Sequence, residues 1–185
     1  MNAASPSKGR IVAARRSELS RCIVRVAACF GIAVFSAPGR AADNDVLKNP
    51  FHDPVLQITH GMPECPEPEE PLYSEKEYRE LAHERSQRGV SCWLAGRCRL
   101  PNGYLYDAEI IPRVEIAVNE TGRFADTRVW ALGQRRRVWL RGCVRTLEQA
   151  GEIEAIVRHI DDVEDVQNEL MVGSAGAPRY VVKRR

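Results

Sequence analysis

The stretch from Arg137 to Val172 constrains the fold more than any other part of the chain, because it predicts a strand, a capped helix and a second strand with few residues between them. Its first segment alternates between two faces, as a strand does. One face carries Val138, Leu140 and Val144, and the opposite face carries Trp139, Arg141 and Cys143. Gly142 is expected to break this strand before the helix begins.

The helix in this stretch has its own start signal. Thr146 and, three residues later, Gln149 form a capping-box pattern, in which each side chain binds a backbone N–H that the first helical turn leaves unpaired. The apolar residues that follow have helical spacing: Ile153, Ile156, Val157 and Ile160. Asp161 and Asp162 are expected to end the helix. A strand then follows, because the apolar residues return to a period of two at Val166, Leu170 and Val172.

The N-terminus predicts an export signal, residues 1–41. Basic residues precede an apolar run of twelve residues, 26–37, and Pro38 and small residues follow it. The run is shorter than the roughly 20 residues that cross a bilayer, so we expect this segment to be removed. Removal takes away seven basic residues and one acidic residue, which changes the formal net charge from +2 to −4.

Two other interpretations of this signal stay open. Residues 26–29 are similar to a lipoprotein cleavage site, but the apolar run continues past Cys29, so the sequence does not decide whether this cysteine is lipidated. Arg15 and Arg16 are similar to a twin-arginine signal, but Glu18 stands where an apolar residue is usual.

Four cysteines remain after residue 41: Cys65, Cys92, Cys98 and Cys143. In an exported chain they favour two disulfides, and three pairings are possible. We favour Cys92 with Cys98, because residues 94–96 can turn between them, and by elimination Cys65 with Cys143. The second bond would tie the N-terminal arm to the central strand, and closing so long a loop stabilises a fold by about 3–5 kcal/mol in the chain-entropy model.

Residues 42–106 are expected to form a proline-rich arm with one helix. Six prolines between residues 50 and 71, together with several acidic residues, predict an extended linker. Ser74 and Glu77 form a second capping-box pattern, which starts a helix that Gly89 ends. A turn bracketed by Cys92 and Cys98 follows.

From Asp107 the apolar pattern is helical again. The residues that carry it are Ile110, Ile111, Val114 and Val118. Residues 119–122 stop this helix, and a strand around Val129 pairs back through residues 133–136 onto the strand that contains Val138. The predicted fold class is therefore α+β, in the order α-β-β-α-β, with two helices against one face of a three-stranded mixed sheet.

This arrangement resembles a BON domain over residues 107–172. The resemblance rests on two motifs with a helix between them, V-x-L-x-G-x-V and V-x-N-x-L-x-V. The first consists of Val138, Leu140, Gly142 and Val144, and the second of Val166, Asn168, Leu170 and Val172. The chain departs from the family pattern at Asp162, where glycine before valine is usual, and at Arg135 to Arg137, which fill the hairpin turn.

The resemblance implies a protein of the periplasm or the outer envelope. Some BON proteins bind phospholipid surfaces, and others are accessory parts of secretins and channels, so the family alone does not fix a function. No catalytic residue belongs to the family pattern.

The second face of the predicted sheet carries Trp130, Leu132, Trp139 and Cys143. So apolar a face is expected to be covered on a domain of this size. The preferred cover is the chain's own residues 43–105, held by a Cys65–Cys143 bond. The alternative is another envelope protein, for which the chain would be a structural or accessory subunit.

No motif in the sequence supports catalysis. The four histidines have no zinc-site spacing, Cys92 and Cys98 do not form the C-x-x-C of a thiol oxidoreductase, and no G-x-S-x-G elbow is present. We therefore predict no catalytic residue, no metal ligand and no cofactor.

The arginine-rich hairpin is the sharpest functional feature. The residues predicted to bind anionic lipid are Arg135, Arg136, Arg137 and Arg141. Such clusters attract anionic headgroups by about 1 kcal/mol per residue. The alternative is a solvated turn whose arginines pair with Glu148, Glu152 or the acidic linker. Residues 173–185 are expected to be a flexible basic tail.

The sequence thus predicts a non-enzymatic periplasmic protein that binds an envelope surface, either anionic phospholipid or the cell wall, and no nucleic acid. It does not give the ligand, the oligomeric state or the process that the protein serves.

Overall fold

The structure, a computed structural model, describes residues 46–184, so the predicted signal peptide lies outside the described residues. The strands are β1 (Val46–Lys48), β2 (Val55–Gln57), β3 (Leu72–Ser74), β4 (Arg128–Gln134), β5 (Arg137–Val144) and β6 (Asp165–Val172). The α-helices are α1 (Glu75–Gln87), α2 (Val90–Leu94), α3 (Asp107–Asn119) and α4 (Leu147–Arg158), and a 3-10 turn, Gly103–Tyr106, precedes α3. None of the helices in this part of the chain has the length and apolar character to span a bilayer.

The main sheet has four strands, in the order β2-β4-β5-β6, so the prediction of three strands was wrong in that detail. Strands β4 and β5 form the predicted hairpin, and β6 runs parallel to β5. The extra strand, β2, comes from the arm and pairs Val55 with Leu132. Strand β2 covers the edge of β4 that would otherwise be free. The sequence did not predict this strand, because its three residues lie in a proline-rich stretch and are too few to show a period of two. Strands β1 and β3 form a separate two-stranded sheet.

Helices α3 and α4 pack on one face of the main sheet, as predicted. The core between them contains, among others, Ile110, Val114, Val129, Val138, Leu140, Ile153 and Val157, all fully buried. The helical and strand spacings in the sequence therefore correctly predicted which residues form this core.

Gly142 does not end β5, contrary to the prediction. The strand continues through it to Val144, and its φ of 125° lies in the region that favours glycine. A Cβ at this position would collide with the carbonyl of Arg128 on β4. Gly142 therefore allows a close approach of the two hairpin strands, which requires no break in the strand.

Both helix-start signals are present, with one difference. Ser74 and Glu77 form a complete capping box at the start of α1. At α4 the hydroxyl of Thr146 accepts from the N–H of Gln149, but the Gln149 amide oxygen accepts from the N–H of Arg145 rather than that of Thr146.

The structure contains the two disulfides favoured from the sequence, Cys65–Cys143 and Cys92–Cys98. The segment between Cys92 and Cys98 is more ordered than the predicted turn, because Cys92 lies within the short helix α2.

Residues 173–184 do not form a flexible tail, which corrects the prediction for this segment. Tyr180 is buried, Val182 makes a β-bridge with Pro68, and the carbonyl of Val181 accepts from the N–H of Glu69. The glycines and the single proline of this segment indicate a hinge, but only the folded arm supplies the backbone groups with which it pairs.

Candidate functional site

The hairpin turn between β4 and β5 is held by a buried carboxylate. Arg135 and Arg136 have φ values of 58° and 63°, a conformation that usually requires asparagine or glycine. The two carboxylate oxygens of Asp107, at the start of α3, accept from the backbone N–H groups of Arg135 and Arg136 at 2.6 and 2.7 Å. These bonds fix the turn against the helix, so two arginines can occupy it.

Burial controls the ionisation of Asp107, which is 1% exposed. Loss of solvent raises the pKa of this carboxyl to about 6, although its hydrogen bonds to the backbone of Arg136 and Arg135 favour the charged form. The negative charge of Asp53 also raises this pKa, and the positive charge of Arg85 lowers it.

Arg136 is engaged within the protein. Its guanidinium donates to the Glu164 carboxylate at 2.7 Å and to the carbonyl of Asp162 at 2.8 Å, and it lies over the ring of Tyr106. The prediction of a turn paired with acids is therefore realised for this one arginine, but through Glu164 and not through Glu148, Glu152 or the linker.

Arg135 and Arg137 are differently placed. Arg137 is exposed and Arg135 is half-buried, with its Cγ against Gly103. Among residues 46–184 neither side chain has an acidic partner. Arg141 is separated from them: it lies four residues beyond Arg137 along β5, and its guanidinium donates to Glu169 at 2.7 Å. The structure thus brings three of the four predicted lipid-binding residues together at the turn and leaves Arg141 apart.

Near the turn lies a disulfide-closed loop with two exposed apolar side chains, a feature that was not predicted from the sequence. Trp93 and Leu94, in α2, are 45% and 72% exposed. The disulfide beside them, Cys92–Cys98, lines a cavity of about 190 Å³ whose other lining residues include Arg88, Arg135 and Arg136. The signal for this surface was a tryptophan–leucine pair inside a loop that two cysteines close. We call the surface formed by residues 92–98 and 135–137 the hairpin end.

Arg85 attaches the arm helix α1 to the sheet and so fixes the position of the hairpin end. Its guanidinium donates to the two carboxylate oxygens of Asp53 at 2.6 and 2.8 Å and lies between the rings of Phe51 and Tyr104. The Gln134 amide of β4 donates to the same carboxylate at 2.6 Å.

The second face of the sheet is covered by the chain itself around Trp130. This side chain is 6% exposed and packs with Met62, Met171 and the Cys65–Cys143 disulfide. Trp139 is half-buried. Beside Leu132 the cover leaves a groove of about 310 Å³ between the sheet and residues 69–73. Residues of the arm therefore provide much of the predicted cover.

Within residues 46–184, no three histidine, cysteine, aspartate or glutamate side chains converge in a geometry that could hold a metal ion.

Residues 106–174 match the family model of the BON domain, a span that begins one residue before the predicted domain and ends two residues after it. A comparison with curated proteins found no match.

Proposed function

Residues 106–174 of this chain are a BON domain, and on that premise we propose that the protein is exported to the periplasm, where it binds the anionic phospholipid surface of the envelope without catalysing a reaction. BON domains are in general associated with phospholipid and envelope binding. Two disulfides are typical of proteins in an oxidising compartment, which supports export.

The observation that carries the proposal is the pair of unpartnered arginines at the hairpin turn. Arg135 and Arg137 lie two residues apart on a turn that Asp107 holds rigid, and within the described chain no carboxylate neutralises either of them. Each cation near an anionic leaflet contributes about 1 kcal/mol, so two cations give weak, salt-dependent binding. Arg136 supports the turn and Arg141 lies elsewhere, so neither is assigned to the binding surface.

Sedimentation with vesicles tests this function. The purified protein with both disulfides formed is expected to pellet with vesicles of anionic phospholipid at low salt and to remain in the supernatant with zwitterionic vesicles. The double variant Arg135→Gln, Arg137→Gln should pellet less. A matched control, Arg179→Gln with Arg184→Gln, removes the same charge from the exposed C-terminal segment and should bind like the wild type.

The result against the proposal is a wild-type protein that stays in the supernatant with anionic vesicles. Cell-wall material in a parallel sedimentation separates the two envelope surfaces: pelleting with the wall but not with vesicles would replace phospholipid by the wall.

The alternative function, an accessory subunit that uses the Trp130 and Trp139 face, has less support. Trp130 lies beneath Met62 and a disulfide, so a partner could reach only Trp139 and the groove beside Leu132. We therefore prefer phospholipid as the ligand.

A further inference from the structure

We propose that the disulfide-closed segment Cys92–Cys98 inserts into the interface of an anionic bilayer, with Trp93 and Leu94 among the headgroups and upper acyl chains and with Arg97, Arg135 and Arg137 on the phosphates. The segment lies outside the BON domain. This inference rests on the proposed function and adds an apolar contact to its electrostatic one.

The side chains of the segment suit a membrane interface. Trp93 and Leu94 are consecutive residues of the short helix α2, and both side chains are exposed. Tryptophan places an apolar ring and one N–H donor at the boundary between headgroups and acyl chains. Transfer of the leucine side chain from water to the acyl chains has a favourable free energy.

Several backbone N–H groups of the segment are paired with carbonyls of the same loop, which lowers the cost of moving them out of bulk water. The N–H of Trp93 donates to the carbonyl of Gly89, that of Gly96 to Trp93, and that of Arg97 to Cys92, at 2.9–3.1 Å. The disulfide closes the same loop, so the segment can enter without unfolding.

The base of the segment is anchored to the rest of the protein. The N–H of Gly103 donates to the carbonyl of Arg88 at 2.9 Å, and the Asn102 side chain donates to the carbonyl of Arg85 at 2.7 Å. Since Arg85 is itself bound to Asp53, the segment has a fixed position relative to the hairpin turn.

The charges around the segment select an anionic bilayer. Arg97, like Arg135 and Arg137, has no acidic partner among residues 46–184, whereas the nearby Glu84 and Glu164 are paired with Arg88 and Arg136. A second copy of the chain that docked on the same surface would bring like charges together, so self-association through this surface is disfavoured.

The test combines vesicle affinity with the fluorescence of Trp93. The variant Trp93→Ser, Leu94→Ser should bind anionic vesicles at least about tenfold more weakly than the wild type, which corresponds to about 1.4 kcal/mol. The control Ile116→Ser, Leu147→Ser removes two apolar side chains of similar exposure from α3 and α4 and should bind within about twofold of the wild type. Because all four side chains are exposed, thermal unfolding should show that both variants fold.

Brominated lipids report insertion directly. Tryptophan fluorescence of the wild type should be quenched by vesicles brominated near the headgroups, and the quenching should be lost in Trp93→Phe, which retains Trp130 and Trp139. If the wild type binds vesicles but the Ser variant binds equally and Trp93 is not quenched, insertion is wrong and the proposed function stands. If the wild type binds no vesicles, both are wrong.

Discussion

Arg85 and Asp53 form a nearly buried ion pair, 2.6 Å between their closest nitrogen and oxygen, that joins helix α1 to the edge of the BON sheet. Their side chains are 12% and 3% exposed. Since Gln134 of β4 donates to the same carboxylate, the pair connects two parts of the chain that the sequence presents as independent.

Removal of the Arg85 charge should be strongly destabilising, because it leaves the Asp53 carboxylate buried without its cation. We expect Arg85→Met to lower the free energy of unfolding by about 3–5 kcal/mol in urea titrations. Arg79→Met is the matched control, since Arg79 forms an exposed pair with Glu75 on the same helix; it should cost less than about 0.5 kcal/mol. Equal losses in the two variants would contradict a structural role for the buried pair.

The two disulfides should differ in their contribution to stability. Cys65–Cys143 spans 78 residues and Cys92–Cys98 spans 6. In the chain-entropy model these separations correspond to about 4–5 and about 2–3 kcal/mol. The double variants Cys65→Ala, Cys143→Ala and Cys92→Ala, Cys98→Ala, unfolded in urea, should show this order, and the reverse order would contradict it.

Asp107 should make stability depend on pH between its unfolded and folded pKa values. Its pKa is raised to about 6, so the folded state holds the proton more tightly than the unfolded state, whose value is near 3.8. The contribution to stability is therefore fully present below about pH 4, declines as pH rises toward 6, and is constant above that. Four other carboxyl groups have the opposite effect on stability, because their pKa values are lowered in the folded state and their contribution is lost as pH falls at more acidic values. They are Glu77, Glu109, Glu154 and Asp162.

A comparison with Asp107→Asn isolates this effect. The difference in unfolding free energy between wild type and variant should change by about 2–3 kcal/mol between pH 4 and pH 7, in favour of the wild type at the acidic end. Parallel pH profiles would show that Asp107 does not titrate in this range.

Gly142 and Gly151 should respond oppositely to the same substitution. Gly142→Ala places a Cβ against the carbonyl of Arg128 at a φ of 125°, and we expect a loss of about 2–5 kcal/mol. Gly151 lies within α4 with open space around it, so Gly151→Ala should raise the unfolding free energy by about 0.5–1 kcal/mol. A neutral Gly142→Ala would contradict the close approach of β4 and β5.

The sequence predicted the BON core because its evidence is local. The spacing of Val138, Leu140 and Ile153, and the capping residue Thr146, determine which faces are apolar and where a helix begins. The pairing of Cys65 with Cys143 could be favoured as well, because few pairings were possible.

The site was predicted less completely. Three adjacent arginines marked the hairpin, but the partners of Arg136 and Arg141, namely Glu164 and Glu169, lie 28 residues further along the chain. Which arginines keep a free charge is therefore a matter of tertiary distance. For the same reason the sequence did not place the Cys92–Cys98 loop, which carries Trp93, beside the hairpin.

The sequence by itself determined the alternation and helical spacing of the BON core, the capping boxes and the small set of possible disulfides, since each depends on neighbours within a few residues or on cysteine count. Only the tertiary structure decided that β2 joins the sheet edge, that the C-terminal segment pairs with the arm, and that Asp107 holds the arginine turn beside the Cys92–Cys98 loop. Those contacts join residues that are far apart in the chain. They form only when the intervening chain has folded, so local sequence patterns do not predict them.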